Sequence, residues 1–266
     1  MNVDVFILAR LGSARVPQKH LRKICGVPAI KILVERLQSA KKIRNIVVCT
    51  TNLRSDDPLV DFLIKENIMY FRGDEKDIIS RLLAASKKYE TDIIVDVEGD
   101  KIYTDPEFVD KVIDGIQADN IDFVIGSDHT KKFDPTDHFI HGLIPAAIKT
   151  TTLEKIFQLK KTEETETGYK EMFFHTDLFK VKFIALDKNI TYSKKIRLAL
   201  DYQEDLDLAD IIFNELGMNF HLMDIVRLFN NKPELTEITE PIRKKWEENY
   251  RKNLVHISFY SNNKTE

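Results

Sequence analysis

Val3-Asp4-Val5-Phe6-Ile7-Leu8 is a near-continuous apolar run, and it passes straight into the basic stretch Ala9-Arg10-Leu11-Gly12-Ser13-Ala14-Arg15-Val16-Pro17-Gln18-Lys19. Such a run reads as a strand buried on both faces, the signature of a parallel sheet covered by helices on each side. Ile46-Val47-Val48-Cys49-Thr50 and Ile93-Ile94-Val95-Asp96-Val97 have the same character. Between the runs lie helical patterns. Ile30, Leu33, Val34 and Leu37 follow Pro28 at helical spacing, and Ile78, Leu82, Leu83 and Ala85 do the same further on. Asp57-Pro58 and Asp105-Pro106 each open a helix, with proline where its missing N–H costs little. Strands alternating with helices predict an α/β fold with a doubly wound, mostly parallel sheet.

The 266 residues suit a single domain over 1–266, and 43% hydrophobic residues are enough for a sizeable core. With 31% charged residues and no apolar run near the ~18 needed to span a bilayer, a membrane protein is excluded. The balance of 40 basic against 43 acidic residues removes the footprint of a non-specific nucleic-acid binder. Cys25 and Cys49 make neither a disulfide framework nor a structural zinc site, and read as packing residues. The acid-bearing start Met1-Asn2-Val3-Asp4 is unlike a signal peptide, so a cytoplasmic protein is expected. From 128 to 195 the pattern changes, and the segment reads as an insertion carried on the sheet. Within it, 144–149, a helix over 153–159 and a strand over 181–186 stand out. Residues 197–200 return to a strand before a helix over 204–216, and 218–266 forms a helical extension.

The loop after the first strand carries the strongest chemical signal. In open α/β sheets ligands bind beyond the carboxyl ends of strands, and here Arg10, Arg15 and Lys19 supply three cations around Gly12 and Ser13. Forked guanidinium donors and an ammonium point charge suit a polyphosphate; a solvated basic loop is the plainer alternative. Neither the G-x-G-x-x-G dinucleotide turn nor the G-x-x-x-x-G-K-[ST] phosphate loop is present.

A strand followed by A-R-x-G-S-x-R-x-P-x-K, with Gly26-x-Pro28 beyond it, resembles the sugar-acid cytidylyltransferases, a group that includes the CMP-Kdo synthetases and the SpsF-like polysaccharide proteins. The SpsF-like branch fits better. Thr50-Thr51-Asn52 with Asp56-Asp57-Pro58, and Arg72-Gly73-Asp74-Glu75-Lys76-Asp77-Ile78-Ile79-Ser80-Arg81, are similar to its motifs. So are Val97-Glu98-Gly99-Asp100, Asp105-Pro106, and Leu198-Ala199-Leu200-Asp201 with Glu204-Asp205-Leu206. The likeness covers most of residues 1–217 and implies a nucleotide-diphospho-sugar transferase-like sheet.

It also implies roles. Arg10, Arg15 and Lys19 would hold the β- and γ-phosphates of CTP, with Gly12 and Ser13 in the same loop. The backbone of Leu8 and Ala9 would meet cytosine, and Arg81 is a candidate side chain for it or else an exposed helix residue. Asp100, after a tight turn at Gly99, and Asp201 would hold one Mg²⁺, a hard ion that prefers oxygen; each could instead cap a helix. The acceptor half departs from the family. Gly142-Leu143-Ile144-Pro145-Ala146 replaces G-L-D-x-E, and Lys101-Ile102 stands where a proline is usual. Loss of two acids, with Lys101, His141, Tyr169 and Lys170 in the region, points to an acidic small-molecule acceptor. His138 and His141 are too sparse for a metal site, and His175 reads as packed. The inserted segment is the element able to carry a homodimer contact, as in related synthetases. Two other classes compete: a glycosyltransferase of related fold, disfavoured because Ile102 breaks a D-x-D pair, and a nucleotide-binding protein without turnover.

Overall fold

The computed structural model of the chain describes residues 1–118, 120–126, 140, 142–165, 168–173, 178–187 and 189–253. It begins with β1 (Val3–Leu8), a short ribbon of β2 (Lys23–Ile24) and β3 (Val27–Pro28), and α1 (Ala29–Leu37). Then come β4 (Asn45–Thr51), α2 (Asp57–Lys65), β5 (Met69–Gly73), α3 (Ile78–Tyr89), β6 (Ile93–Glu98) and α4 (Pro106–Gln117). β7 (Phe123–Gly126), β8 (Ala146–Lys149), α5 (Thr150–Leu159) and β9 (Val181–Ile184) follow, and α6 (Gln203–Leu216), α7 (Leu222–Asn231) and α8 (Leu235–Asn253) close the described chain. Seven strands form one sheet in the order β5-β4-β1-β6-β8-β7-β9. Neighbours are parallel except where β8 lies antiparallel to β6 and β7. The expected doubly wound, mostly parallel sheet is present.

Alternate residues of the central strands enter two separate cores, which is why these strands read as unbroken apolar runs. Val5, Ile7, Val95 and Val97 pack with Ile30, Leu33 and Val109 on one face. Phe6, Cys49 and Ile94 pack with Ile79, Leu82, Leu153 and Ile156 on the other. Asp4 is an exception in β1, and a buried charge needs partners. Arg44 supplies two bonds to it, at 3.0 and 2.6 Å, and the Thr91 hydroxyl donates a third.

The structure differs from the sequence reading in three places. β5 was not expected; it is an edge strand whose mixed Met69-Tyr70-Phe71-Arg72-Gly73 reflects half-exposure. The 128–195 segment supplies β8 and β9 to the main sheet and α5 to its covering layer, so this much of it is sheet and not an appendage. Four residues of which two are alanine give too little periodicity to announce β8. Residues 197–200 form no strand. They are extended and buried, with Leu198 and Leu200 in the core, and Leu200 N–H donates to the Asp100 carbonyl at 3.1 Å. His138, His141 and His175 lie outside the described residues. No helix among the described residues is long and apolar enough to cross a membrane.

Candidate active site

The sheet order places β1 between β4 and β6, so the crossovers from β1 and β6 diverge and a crevice opens beyond their carboxyl ends. The loop over residues 9–19 enters that crevice on a fixed path. Leu11 N–H donates to Asp56 Oδ1 at 2.7 Å, while the hydroxyls of Thr50, at 3.1 Å, and Thr51 donate to Asp56 Oδ2. The threonine and aspartate motif therefore staples the basic loop to the end of β4. On the β6 side, Gly99 N–H donates to the Leu8 carbonyl at 2.8 Å. A Cβ on Gly99 would stand 2.9 Å from that oxygen and 2.8 Å from His20 Cε1, so the two loops close this tightly because residue 99 has no side chain. A Cβ on Gly12 would meet nothing within 4 Å, so that glycine faces open space.

Charges far apart in sequence meet here. Lys19 Nζ lies 2.8 Å from Asp100 Oδ2 and 3.4 Å from Asp201 Oδ1, and Arg15 Nη2 lies 2.7 Å from the same Asp201 oxygen. Arg197, which the sequence reading passed over, holds Asp201 Oδ2 at 2.6 Å and pairs with Asp205. Asp205 Oδ2 accepts from the N–H groups of Asp201, at 2.8 Å, and Tyr202, at 2.9 Å, and so satisfies the start of α6. Asp105, not Asp100, caps α4. The helix-capping alternatives for Asp100 and Asp201 therefore give way. Burial alone would push the Asp100 carboxyl up, but Lys19, Lys101 and His20 hold it well below the carboxylate range. Burial likewise would lower Lys19, and the two aspartates outweigh it. Asp100 Oδ1 is buried with no hydrogen-bond partner. Two carboxylates sharing one ammonium, one of them with an oxygen that has no hydrogen-bond partner, form a donor set that fits a hard divalent cation.

These groups line a cleft of about 790 Å³. Leu8, Ala9, Arg10, Gly12 and Ser13 border it with Arg15 and Lys19, as do Arg81, Asp100, Asp201, Lys101, Tyr169 and Lys170. Arg81 is 2% exposed, which overturns the reading of an exposed helix residue. It donates to the Asp74 and Glu75 carbonyls at 2.7 and 2.8 Å, and Gly73 makes room for its Cγ, which would lie 2.7 Å from a Cβ there. The Arg72–Arg81 motif thus shapes the cleft wall through backbone contacts.

The cations expected on the acceptor side have carboxylate partners of their own. Lys170 Nζ lies 2.8 Å from both Asp96 Oδ2 and Glu98 Oε1, and Lys101 Nζ is 3.7 Å from Glu98 Oε2. Tyr169 OH donates to Asp96, and burial with that neighbouring carboxylate raises its pKa well above the ordinary value. Lys101 and Lys170 therefore face carboxylates of this chain. Asp96 is fully buried, and its Oδ1 has no hydrogen-bond partner. The signal for it was present: an acid in the middle of a doubly buried apolar strand. Trp246, which also lines the cleft, gave no such signal.

Asp105, Glu107 and His221 bring ligand-type atoms within 4.8 Å of one another away from this lining. Asp105 accepts from His221 Nδ1 at 2.9 Å and Leu222 N–H at 2.7 Å, so the group ties α7 to α4. His20 is 3% exposed, its Nδ1 3.2 Å from the Gly99 carbonyl, and burial together with Lys19 lowers its pKa to about 4. The unfolded chain, with an imidazole near pH 6.5, takes up that proton first. Stability is then full above pH ~6.5 and falls as pH drops toward 4, by about 3 kcal/mol at ~1.36 kcal/mol per unit. His20→Gln should flatten that limb in urea titrations at stepped pH; an unchanged slope would assign it to other groups.

A family model described as Cytidylyltransferase matches residues 5–209. The chain is 30% identical over 253 residues to an uncharacterized protein of Methanocaldococcus jannaschii, covering 92% of this chain and 97% of that one. It is 27% identical over 243 residues to the spore coat polysaccharide biosynthesis protein SpsF of Bacillus subtilis, covering 88% and 97%. A solved cytidylyltransferase structure from Leptospira borgpetersenii superposes with a TM-score of 0.77 at 26% identity, covering 89% of this chain and 97% of the other. Because the match runs from the first strand into α6, across both loops of the crevice, the chain belongs to the cytidylyltransferase family and is a nucleotidyltransferase.

Proposed function

We propose that the protein is a cytoplasmic, CTP-dependent cytidylyltransferase that uses Mg²⁺ to transfer CMP to a sugar acid or similar acidic metabolite, releasing pyrophosphate, in surface polysaccharide or glycan synthesis. The observation that carries the reading is the single ammonium of Lys19 set between Asp100 and Asp201, with Arg15 on the same carboxylate. Family membership favours it over a glycosyltransferase. The acceptor hydroxyl oxygen attacks the α-phosphorus and gives up its proton to solvent, the bond from the α-phosphorus to the bridging oxygen breaks, and pyrophosphate departs. Arg10, Arg15 and Lys19 neutralise the β- and γ-phosphates. Arg15 and Lys19 are held in the cleft by aspartates before any nucleotide arrives, so little reorganisation remains at the moment of reaction. Asp100 and Asp201 would hold the divalent ion, which when bound supplies charge neutralisation at the α-phosphate. Leu8 and Ala9 border the place for the base, beside the wall that Arg81 stiffens.

The acceptor class is drawn from kinship with the sugar-acid branch, and Lys101 and Lys170 are shared with Asp96 and Glu98. The alternation of Asp96, Glu98, Lys101 and Lys170 suits the hydroxyls of a sugar, each able to donate and accept. The test is to incubate the protein with each of the four nucleoside triphosphates and Mg²⁺, add sugar acids or matched uncharged sugars, and follow pyrophosphate. CTP with a sugar acid should give the largest release. No preference for CTP would sink the reading, and equal turnover of uncharged sugars would remove the acid from it.

A further inference from the structure

The family match stops at residue 209, within α6, and the cleft does not. α8 presses Leu235, Thr239 and Ile242 into the body of the protein, at 6%, 1% and 4% exposure. The same stripe continues at helical spacing with Trp246 and Asn249, and both of these line the cleft. At ~1.5 Å per residue the helix carries one face about 10 Å from the core to the site. Trp246 meets a group the chemistry depends on. Arg197 Cζ stands over its indole at 5.4 Å from the ring centroid, while the same guanidinium grips Asp201. Beside it, the Tyr202 ring has Arg15 at 5.3 Å and Lys245 of α8 at 5.4 Å. Among the described residues Arg197 Nε is buried with no hydrogen-bond partner, and the indole lies against the guanidinium beside its two carboxylates.

We propose that α8 is part of the nucleotide site, and that Trp246 is a positioning residue that steadies Arg197, and through it Asp201, while its ring forms a wall of the occupied cleft. This rests on reading the cleft as the site of CTP and Mg²⁺. Asn249, one turn further on, completes the same wall. The match to the family model, residues 5–209, ends before this helix begins.

Trp246 is the chain's one tryptophan, so its emission reports on this place alone. The full chain is titrated with CTP and Mg²⁺ while emission is followed, with calorimetry in parallel. A saturable change whose midpoint agrees with the calorimetric Kd is expected. Trp246→Ala should lower kcat roughly tenfold and raise the half-saturating Mg²⁺ concentration, with KM for CTP moving less. Trp246→Phe, which keeps a ring on Arg197, should recover most of that loss. CTP binding by calorimetry without a change in emission would overturn the proposal and leave the cytidylyltransferase reading standing. So would equal kinetics for Trp246→Ala and Trp246→Phe. Absence of calorimetric binding by CTP would overturn both.

Discussion

Asp100→Asn is expected to abolish pyrophosphate release from CTP, lowering kcat by roughly 10²-fold or more, while the far-UV circular dichroism stays that of the folded chain. Asparagine fills the same volume and leaves an oxygen for the Lys19 ammonium, now 2.8 Å from Asp100. What it removes is the negative charge on a group whose second oxygen has no partner. The effect should therefore fall on the metal-dependent step and not on assembly of the loops. Wild-type turnover in this variant would take Asp100 out of the mechanism. A linked expectation concerns acid stability. Lys19 holds the Asp100 carboxyl below its unfolded value against the opposing effect of burial, so its contribution is present above pH ~3.9 and fades below it. The variant should lack that component of acid sensitivity.

The largest effect on folding should come from Arg197→Met. Arg197, Asp201 and Asp205 have side chains at most 4% exposed, and the guanidinium serves both acids. Methionine fills much of the space and leaves two carboxylates close together without their shared partner. Breaking a buried pair from one side costs about 3–5 kcal/mol, more than the pair contributes over an apolar replacement. Urea unfolding should show a loss of that size with an unchanged m-value. A loss below ~1 kcal/mol would mean that Lys19 and Arg15 suffice to hold Asp201, and that Arg197 is not the clamp described above.

Much of this arrangement was legible in the chain. Strands buried on both faces announce themselves as β-branched runs, so β1, β4 and β6 could be read directly, and with them the end of the sheet where ligands bind. Arg15, Lys19, Asp100 and Asp201 could be named because they stand in ordered motifs. Their cross-pairing could not be read, because it depends on an extended segment that makes no strand yet bonds Leu200 to Asp100. Two kinds of residue escaped. Asp96 and Arg197 sit in apolar runs, where a single charge looks like noise until its partners are known. Trp246 belongs to a helix whose polar residues hide the continuation of its buried stripe. The pairing of Lys101 and Lys170 was hidden for the same reason: formal charge can be counted from sequence, but neutralisation by Asp96 and Glu98 is a matter of space.

β8 has a consequence for how the chain must be made. It slots against β6 although it begins 48 residues after β6 ends (146 − 98), so a chain emerging from the ribosome presents one long side of β6 bare during that interval. At about 5–20 residues per second the wait is roughly 2–10 seconds, ample for a stray strand to add itself. Asp96 stands in that strand between Phe6 of β1 and the place Ala146 will take, and a carboxylate on the face of a strand with an open edge disfavours an apolar stray partner.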